Sequence, residues 1–319
     1  ILFIGNGAYG YIVANSAVSN WFVRQRGKAL GIATAGISLS GAVLPIIAMM
    51  LIFGLGMKSA AVWIGVAVLL FGPLAWLVVV DWPEDIGLQP DGEEEPEGAF
   101  GVAPVTPVSA GVIPEEQNED VGAGQAGAAL EWPLGRLVRT PAVWKLGLAY
   151  AMVMMGVVGV MSQLKPRFVD IGFADNPAMI LMAVTALFGA AGKYTWGMLC
   201  DRMDSLKVAT VIMLANGAGL AASLFADTPG AIMVFVCLFG FAMGGVMSTY
   251  PIVVADLFGR RAFASVFRFM AVFLIIQMAG YLIAGQSFDR TGSYDTAYVL
   301  FIVLDMAAAL VVLSIRRPV

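Results

Sequence analysis

Gly197-Met198-Leu199-Cys200-Asp201-Arg202-Met203-Asp204-Ser205-Leu206-Lys207 is a short charged interruption between two long apolar runs, Ala178 to Leu199 and Val208 to Phe225. Four charges fall within the seven residues Asp201 to Lys207. At the centre of a bilayer each would cost about 2.5–3.5 kcal/mol on insertion scales. The stretch therefore reads as a turn at a membrane surface, with both flanking runs crossing the bilayer. About 20 mostly apolar residues span the hydrocarbon core, and nine windows of that kind follow one another along the chain. They run from Ile1 to Phe22, Ala29 to Gly56, Ala60 to Val80, Val143 to Leu164, Ala178 to Leu199, Val208 to Phe225, Ala231 to Leu257, Ala262 to Ala284 and Ala297 to Ile315. Helices are the expected form, because lipid offers no partner to backbone groups left open.

Composition agrees: 60% of the residues are hydrophobic and 13% charged, far from the balance of a soluble globular domain. The net charge of −4 is misleading, since 13 of the 22 acidic residues lie between Asp81 and Glu131. There is no histidine, and Cys200 and Cys237 are the only cysteines. Histidine proton relays, metal centres built on His and Cys, and disulfide frameworks thereby lose their material. No catalytic constellation, cofactor, metal or nucleic-acid partner is expected.

Lys and Arg set the orientation. Alternate connections carry Arg24, Arg26, Lys28, Arg136, Arg139, Lys145, Arg202, Lys207, Arg260, Arg261, Arg316 and Arg317, against Lys58, Lys165, Arg167 and Arg290 on the other side. The richer side is expected to be cytoplasmic, which puts the carboxyl terminus inside and Ile1 outside. An apolar run that begins outside, with no initiator Met and no signal-like basic region, reads as a cut chain.

The chain divides at its acidic stretch. Residues 1–80 are expected to form three helices of one bundle, 81–140 a flexible cytoplasmic linker rich in Glu, Gly, Pro and Ala, and 141–319 a bundle of six helices. Trp21-Phe22-Val23-Arg24-Gln25 returns as Leu257-Phe258-Gly259-Arg260-Arg261, 236 residues later. A repeat on either side of a linker is what duplicated transporter halves leave.

The opening stretch resembles the G-x-L-x-D-R-x-G-R-K signature of the major facilitator superfamily, with Asp204 at a position where that family carries Gly. The resemblance implies an all-α membrane protein of twelve helices in two bundles. The nine windows would be helices four to twelve, with three further helices ahead of Ile1. Asn20-Trp21-Phe22 with Arg24-Gln25-Arg26-Gly27-Lys28-Ala29, then Gly36, Gly41 and Pro45, is similar to the W-F-x-x-R-x-G-x-A turn of the monocarboxylate and oxalate/formate antiporter branch. Gly285-Gln286-Ser287-Phe288-Asp289-Arg290-Thr291-Gly292-Ser293-Tyr294 is similar to the G-x-x-x-D-x-T-G-S-Y link before that branch's last helix.

Two cations fall in no connection, Lys193 and Arg268. At 1.5 Å per residue they lie about 12 Å from Asp201 and about 10 Å from Arg261, at similar depth. Tyr150 joins them at comparable depth on the preceding span. An ammonium, a guanidinium and a phenol facing one cavity suit a small carboxylate; the alternative for either cation is snorkelling to the interface. The resemblance adds that members of this branch bind substrate with an Arg four residues before the motif Gly, where Lys193 stands relative to Gly197. Oxalate/formate antiporters also carry a Lys near the place of Gln277. On an α-helix Gln277 and Arg268 fall on opposite faces, so one of them faces the cavity, with Arg268 preferred.

Gly197, Asp201 and Arg202 are expected to form a conformational latch. By the fold's pseudo-symmetry, Asp201 faces the amino end of the helix starting near Lys28, whose dipole favours an anion. Asp305, inside the last span, is either protonated or locally paired, or a coupling site. Gly189, Gly192 and Gly197 read as close packing. The resulting expectation is a secondary transporter of small mono- or dicarboxylates, working as a monomer in the cell membrane by alternating access, with H+ or a counter-anion as coupled partner. A non-transporting sensor or inactive fragment is the alternative, and a membrane-embedded enzyme is disfavoured.

Overall fold

A computed structural model describes residues 11–92, 133–225 and 228–317. Nine α-helices are described: α1 (Tyr11–Trp21), α2 (Arg26–Val78), α3 (Leu134–Arg139), α4 (Pro141–Asp170), α5 (Asp175–Cys200), α6 (Ser205–Ser223), α7 (Pro229–Met270), α8 (Ala279–Thr291) and α9 (Asp295–Leu313). Seven stretches among the described residues are long and apolar enough to cross a membrane. The last six match the six carboxyl-terminal windows. On the amino-terminal side, the second and third windows lie in the single run α2, and the start of the first window, residues 1–10, lies outside the described residues.

Two glycines make long runs behave as separate helices. Gly56 breaks α2 at φ 79°, ψ 159°, and Gly259 breaks α7 at φ 79°, ψ 168°. Those angles are cheap only for a residue without Cβ. Gly259 sits inside the repeated Leu257–Arg261 stretch, and the matching residues 22–25 form the turn between α1 and α2. Both copies of the repeat thus mark a place where one membrane helix hands over to the next.

The helices pack in a network, α5 against both α7 and α2, α6 against α7 and α9, and α4 against α9 and α8. Aromatic and branched side chains fill the contacts, with Tyr150, Phe239, Phe263, Phe267, Tyr298 and Phe301 almost fully enclosed. Large apolar side chains such as Leu187, Leu282 and Leu310 stay outward, as a lipid solvent allows. Close packing at Gly189 and Gly192 is present: a Cβ on Gly192 would strike the Phe241 carbonyl, and Gly189 lies against Gly244 on α7.

Two expectations need correction. The helix after Arg268 is not α-helical throughout, because Ala271–Met278 is a 3-10 segment. The linker's flanks are also not featureless. Residues 93–132 lie outside the described residues, but two short 3-10 turns (Pro83–Ile86, Pro90–Gly92) and α3 frame them. The first flank folds back: Trp21 Nε1 donates to the Val80 carbonyl at 2.7 Å, and Asn20 Nδ2 to that of Asp81 at 3.1 Å. Asp91 Oδ2 then accepts from the backbone N–H groups of Val23 (3.0 Å) and Arg24 (2.7 Å). Hydropathy cannot register such polar docking, which uses few residues and mostly backbone partners.

Candidate functional site: the crossing of α2 and α5

The charged turn after α5 is built from its own backbone needs. Asp204 has φ −57° and ψ 121°, a conformation open to any residue, so the family's Gly is not required there. Its Oδ1 accepts from the N–H groups of Leu206 (3.0 Å) and Lys207 (3.2 Å), capping the first turn of α6. Arg317 donates to Asp204 at 3.0 Å and to Asp256 at 3.2 Å, and Ser205 Oγ donates to Asp256 at 2.6 Å. Burial alone would raise the Asp204 carboxyl; the Lys207 backbone N–H and the Arg317 guanidinium outweigh it and hold the group below its ordinary value. Arg317 entered the sequence reading only as an orienting cation, and Asp256, near the end of the Ala231–Leu257 window, was not singled out at all.

Beside this cap, Asp201 reaches out of its own turn to the amino end of α2. Its Oδ1 accepts from Gly27 N at 2.6 Å and its Oδ2 from Lys28 N at 2.8 Å. The first N–H groups of a helix have no intrahelical partner, and a carboxylate is favoured there by the dipole. Burial pushes the Asp201 carboxyl up from its ordinary value, the two N–H groups pull it back, and Asp91 adds to the rise. The contact is thus balanced, with desolvation set against two short hydrogen bonds. Arg202 is exposed at the turn.

Gly197 lies one turn before Asp201 and lets the two helices meet backbone to backbone. A Cβ on Gly197 would collide with the Gly27 carbonyl, and one on Gly27 with the Gly197 carbonyl. One turn further along α5, a Cβ on Gly31 would come within 2.8 Å of the Lys193 carbonyl. Lys193 itself is 7% exposed, and its Nζ donates to the Thr34 carbonyl at 3.1 Å. Its ammonium is therefore enclosed within the α2–α5 crossing. Thr34, itself 2% exposed, was not anticipated, because a backbone carbonyl leaves no mark in a sequence.

The other anticipated residues are engaged elsewhere. Tyr150 is enclosed between α4 and α7, its hydroxyl 3.0 Å from Thr249 Oγ1 and its ring 4.6 Å from that of Tyr250. Tyr250 in turn donates to the Met270 carbonyl at 3.2 Å. Arg268 is exposed, with Nε donating to the Ala264 carbonyl at 3.2 Å. Gln277 is partly exposed within the 3-10 segment. At about 120° per residue over that segment instead of about 100°, Gln277 comes to within roughly 60° of Arg268 around the axis. The expected opposition of these two residues therefore fails, and both lie on one side of the helix.

A lipid-facing bundle of helices, with a duplicated turn and a charged loop docking one helix group on another, defines a polytopic membrane protein of transporter architecture. The chain belongs to the Major Facilitator Superfamily, whose family model matches residues 1–273 and 146–319. It is 24% identical over 306 residues to Monocarboxylate transporter 12 of Rattus norvegicus, covering 91% of this chain and 60% of that one. It is 22% identical over 269 residues to the uncharacterized MFS-type transporter YhjX of Escherichia coli, covering 82% and 57%. Over 127 residues it is 25% identical to the Oxalate:formate antiporter of Oxalobacter formigenes, covering 39% and 30%. The chain thus spans 60% or less of the length of each of these relatives.

Proposed function

We propose that this chain is part of a secondary transporter that moves a small mono- or dicarboxylate across the cell membrane by alternating access. The Asp201 turn and the carboxyl terminus would lie on the cytoplasmic side. The observation that carries the reading is the double hold of α5 on α2, Asp201 on the Gly27 and Lys28 amides and Lys193 on the Thr34 carbonyl. Both holds use groups that an anionic substrate or an open gate would reclaim.

A carboxylate adds the attraction of an opposite charge to the hydrogen bond it accepts from an ammonium, which the neutral Thr34 carbonyl does not. An arriving substrate anion would therefore draw Lys193 from Thr34 and loosen the crossing at mid-helix. Arg268 and Gln277, on one side of the neighbouring helix, supply a guanidinium fork and an amide for the same anion. Tyr150 shapes the wall through Thr249 and Tyr250. With Lys193 withdrawn, Asp201 alone holds the cytoplasmic end, and its desolvation cost keeps that hold weak enough to break in each cycle. Electroneutrality is kept by H+ or by a counter-anion moving in exchange. We assign no enzymatic reaction to the chain.

The test is uptake of radiolabelled small mono- and dicarboxylates into proteoliposomes holding the full-length gene product. Saturable uptake that other small carboxylates compete away supports the reading. Folded protein that takes up none of them, with or without a proton gradient or internal counter-anion, overturns it.

A further inference from the structure

Away from the α2–α5 crossing, a carboxyl group and an amide are sealed together between α6 and α9. Asp305 and Asn216 are both 0% exposed, and Asn216 Nδ2 donates to Asp305 Oδ2 at 2.8 Å. Asp305 sits on the buried stripe of α9 with Tyr298, Phe301, Ala308 and Val312, so its side chain points into packed helix and not into lipid. Gly217 on α6 leaves room for it: a Cβ there would lie 3.4 Å from Asp305 Cβ.

The two remaining oxygens, Asp305 Oδ1 and Asn216 Oδ1, are buried and have no hydrogen-bond partner. Both are acceptors if the acid is ionised. Two unsatisfied buried acceptors, one of them charged, are costly in a low-dielectric interior. A single proton removes the cost, because a neutral carboxyl donates through one oxygen and accepts through the other. The amide of Asn216 has the complementary pair, a donor already used on Oδ2 and an acceptor left over.

Among the described residues, no counter-charge stands at this level. On α6, Lys207 is nine residues from Asn216, about 13 Å along the axis. On α4, Lys145 donates to the Ser314 carbonyl at one end of α9, Arg167 pairs with Asp295 at the other, and Lys165 pairs with Asp175. Asp170 also lies at the Arg167 end of α4. Tyr150, about one turn from the Asp305 level, turns its hydroxyl to Thr249. Tyr281 on α8 is exposed, as are Asp289 and Arg290 in the last turn of that helix. Tyr298 on α9 itself is about 10 Å from Asp305 along the axis. A metal cation fits poorly, since the two free oxygens fall short of the six or more that hard cations gather.

We propose that Asp305 is a proton-binding site, its carboxyl carrying a resident proton that closes a two-bond acid–amide pair with Asn216 and clasps α6 to α9. The proton stays in place through the cycle, and the pair acts as a neutral clasp between two helices that move together.

The test is infrared spectroscopy on the full-length protein in detergent at neutral pH, wild type against Asp305→Asn. The expected result is a protonated-carboxyl C=O band, shifted by deuterium exchange or by Asn216→Leu, and lost in Asp305→Asn. Asp305→Asn is also expected to unfold at close to the wild-type Tm, since an amide stands in for a neutral acid. No band lost between the two spectra overturns the proposal. So does a clear rise in Tm for Asp305→Asn, because relief on removing the charge would mean the carboxylate was ionised.

Discussion

Gly27 and Gly197 face one another across the α2–α5 crossing so closely that a methyl group on either would run into the carbonyl oxygen of the other. Gly197→Ala is therefore expected to pry the helices apart at the Asp201 end. Overpacking of this kind typically costs about 1–3 kcal/mol, which displaces the closed:open balance by about fivefold to 150-fold. Gly36→Ala, with nothing within 4 Å of the added carbon, serves as the control. Equal cysteine accessibility in the two variants would mean that the crossing is not part of the gate.

Asp201→Ala removes the acceptor shared by the Gly27 and Lys28 amides. Loss of such a helix-end carboxylate costs about 0.5–2 kcal/mol, so the open form should gain up to about thirtyfold. A probe cysteine at Ser265, placed after Cys200 and Cys237 are replaced, reports it through labelling from the Asp201 side. Unchanged labelling in a variant that still folds would reduce Asp201 to a loop charge.

Much of this architecture was legible beforehand because lipid imposes simple rules. Apolar length marked the helices, the repeated Trp21–Gln25 and Leu257–Arg261 stretches marked two handovers between them, and the fold's pseudo-symmetry pointed Asp201 to the α2 amino end. The 3-10 segment was not legible. Ala271-Val272-Phe273-Leu274-Ile275-Ile276 holds no polar residue whose phase could tell three residues per turn from 3.6. The partner of Lys193 was hidden for a different reason, being a main-chain carbonyl that any residue at position 34 would supply. Asp91 was hidden by its surroundings, one carboxylate among thirteen acids in a stretch that reads as solvated spacer.

Asp204 carries a pH dependence of definite sign. Its carboxyl is held below its ordinary value in the folded protein, so its contribution is present above the ordinary carboxylate range and fades as pH falls through the folded value. Thermal unfolding of the purified protein should show Asp204→Ala less stable than wild type at neutral pH. The difference is about 0.5–2 kcal/mol for a lost helix cap, toward the low end because the pair with Arg317 is partly exposed. The gap should begin to narrow below about pH 4 and close as the pH falls through the folded value. A gap that widens on acidification would reverse the assignment.

The exchange of Lys193 between the Thr34 carbonyl and the substrate anion is the centre of this account, and carboxylate uptake into proteoliposomes by full-length protein carrying Lys193→Ala or Lys193→Arg tests it most directly. A buried hydrogen bond to a charged group contributes about 1.5–3 kcal/mol, so Lys193→Ala should lose about tenfold or more of kcat/KM at equal reconstitution. Lys193→Arg should keep transport, because a cation remains at that depth. Wild-type uptake by Lys193→Ala would contradict the account and leave Lys193 as packing between α2 and α5.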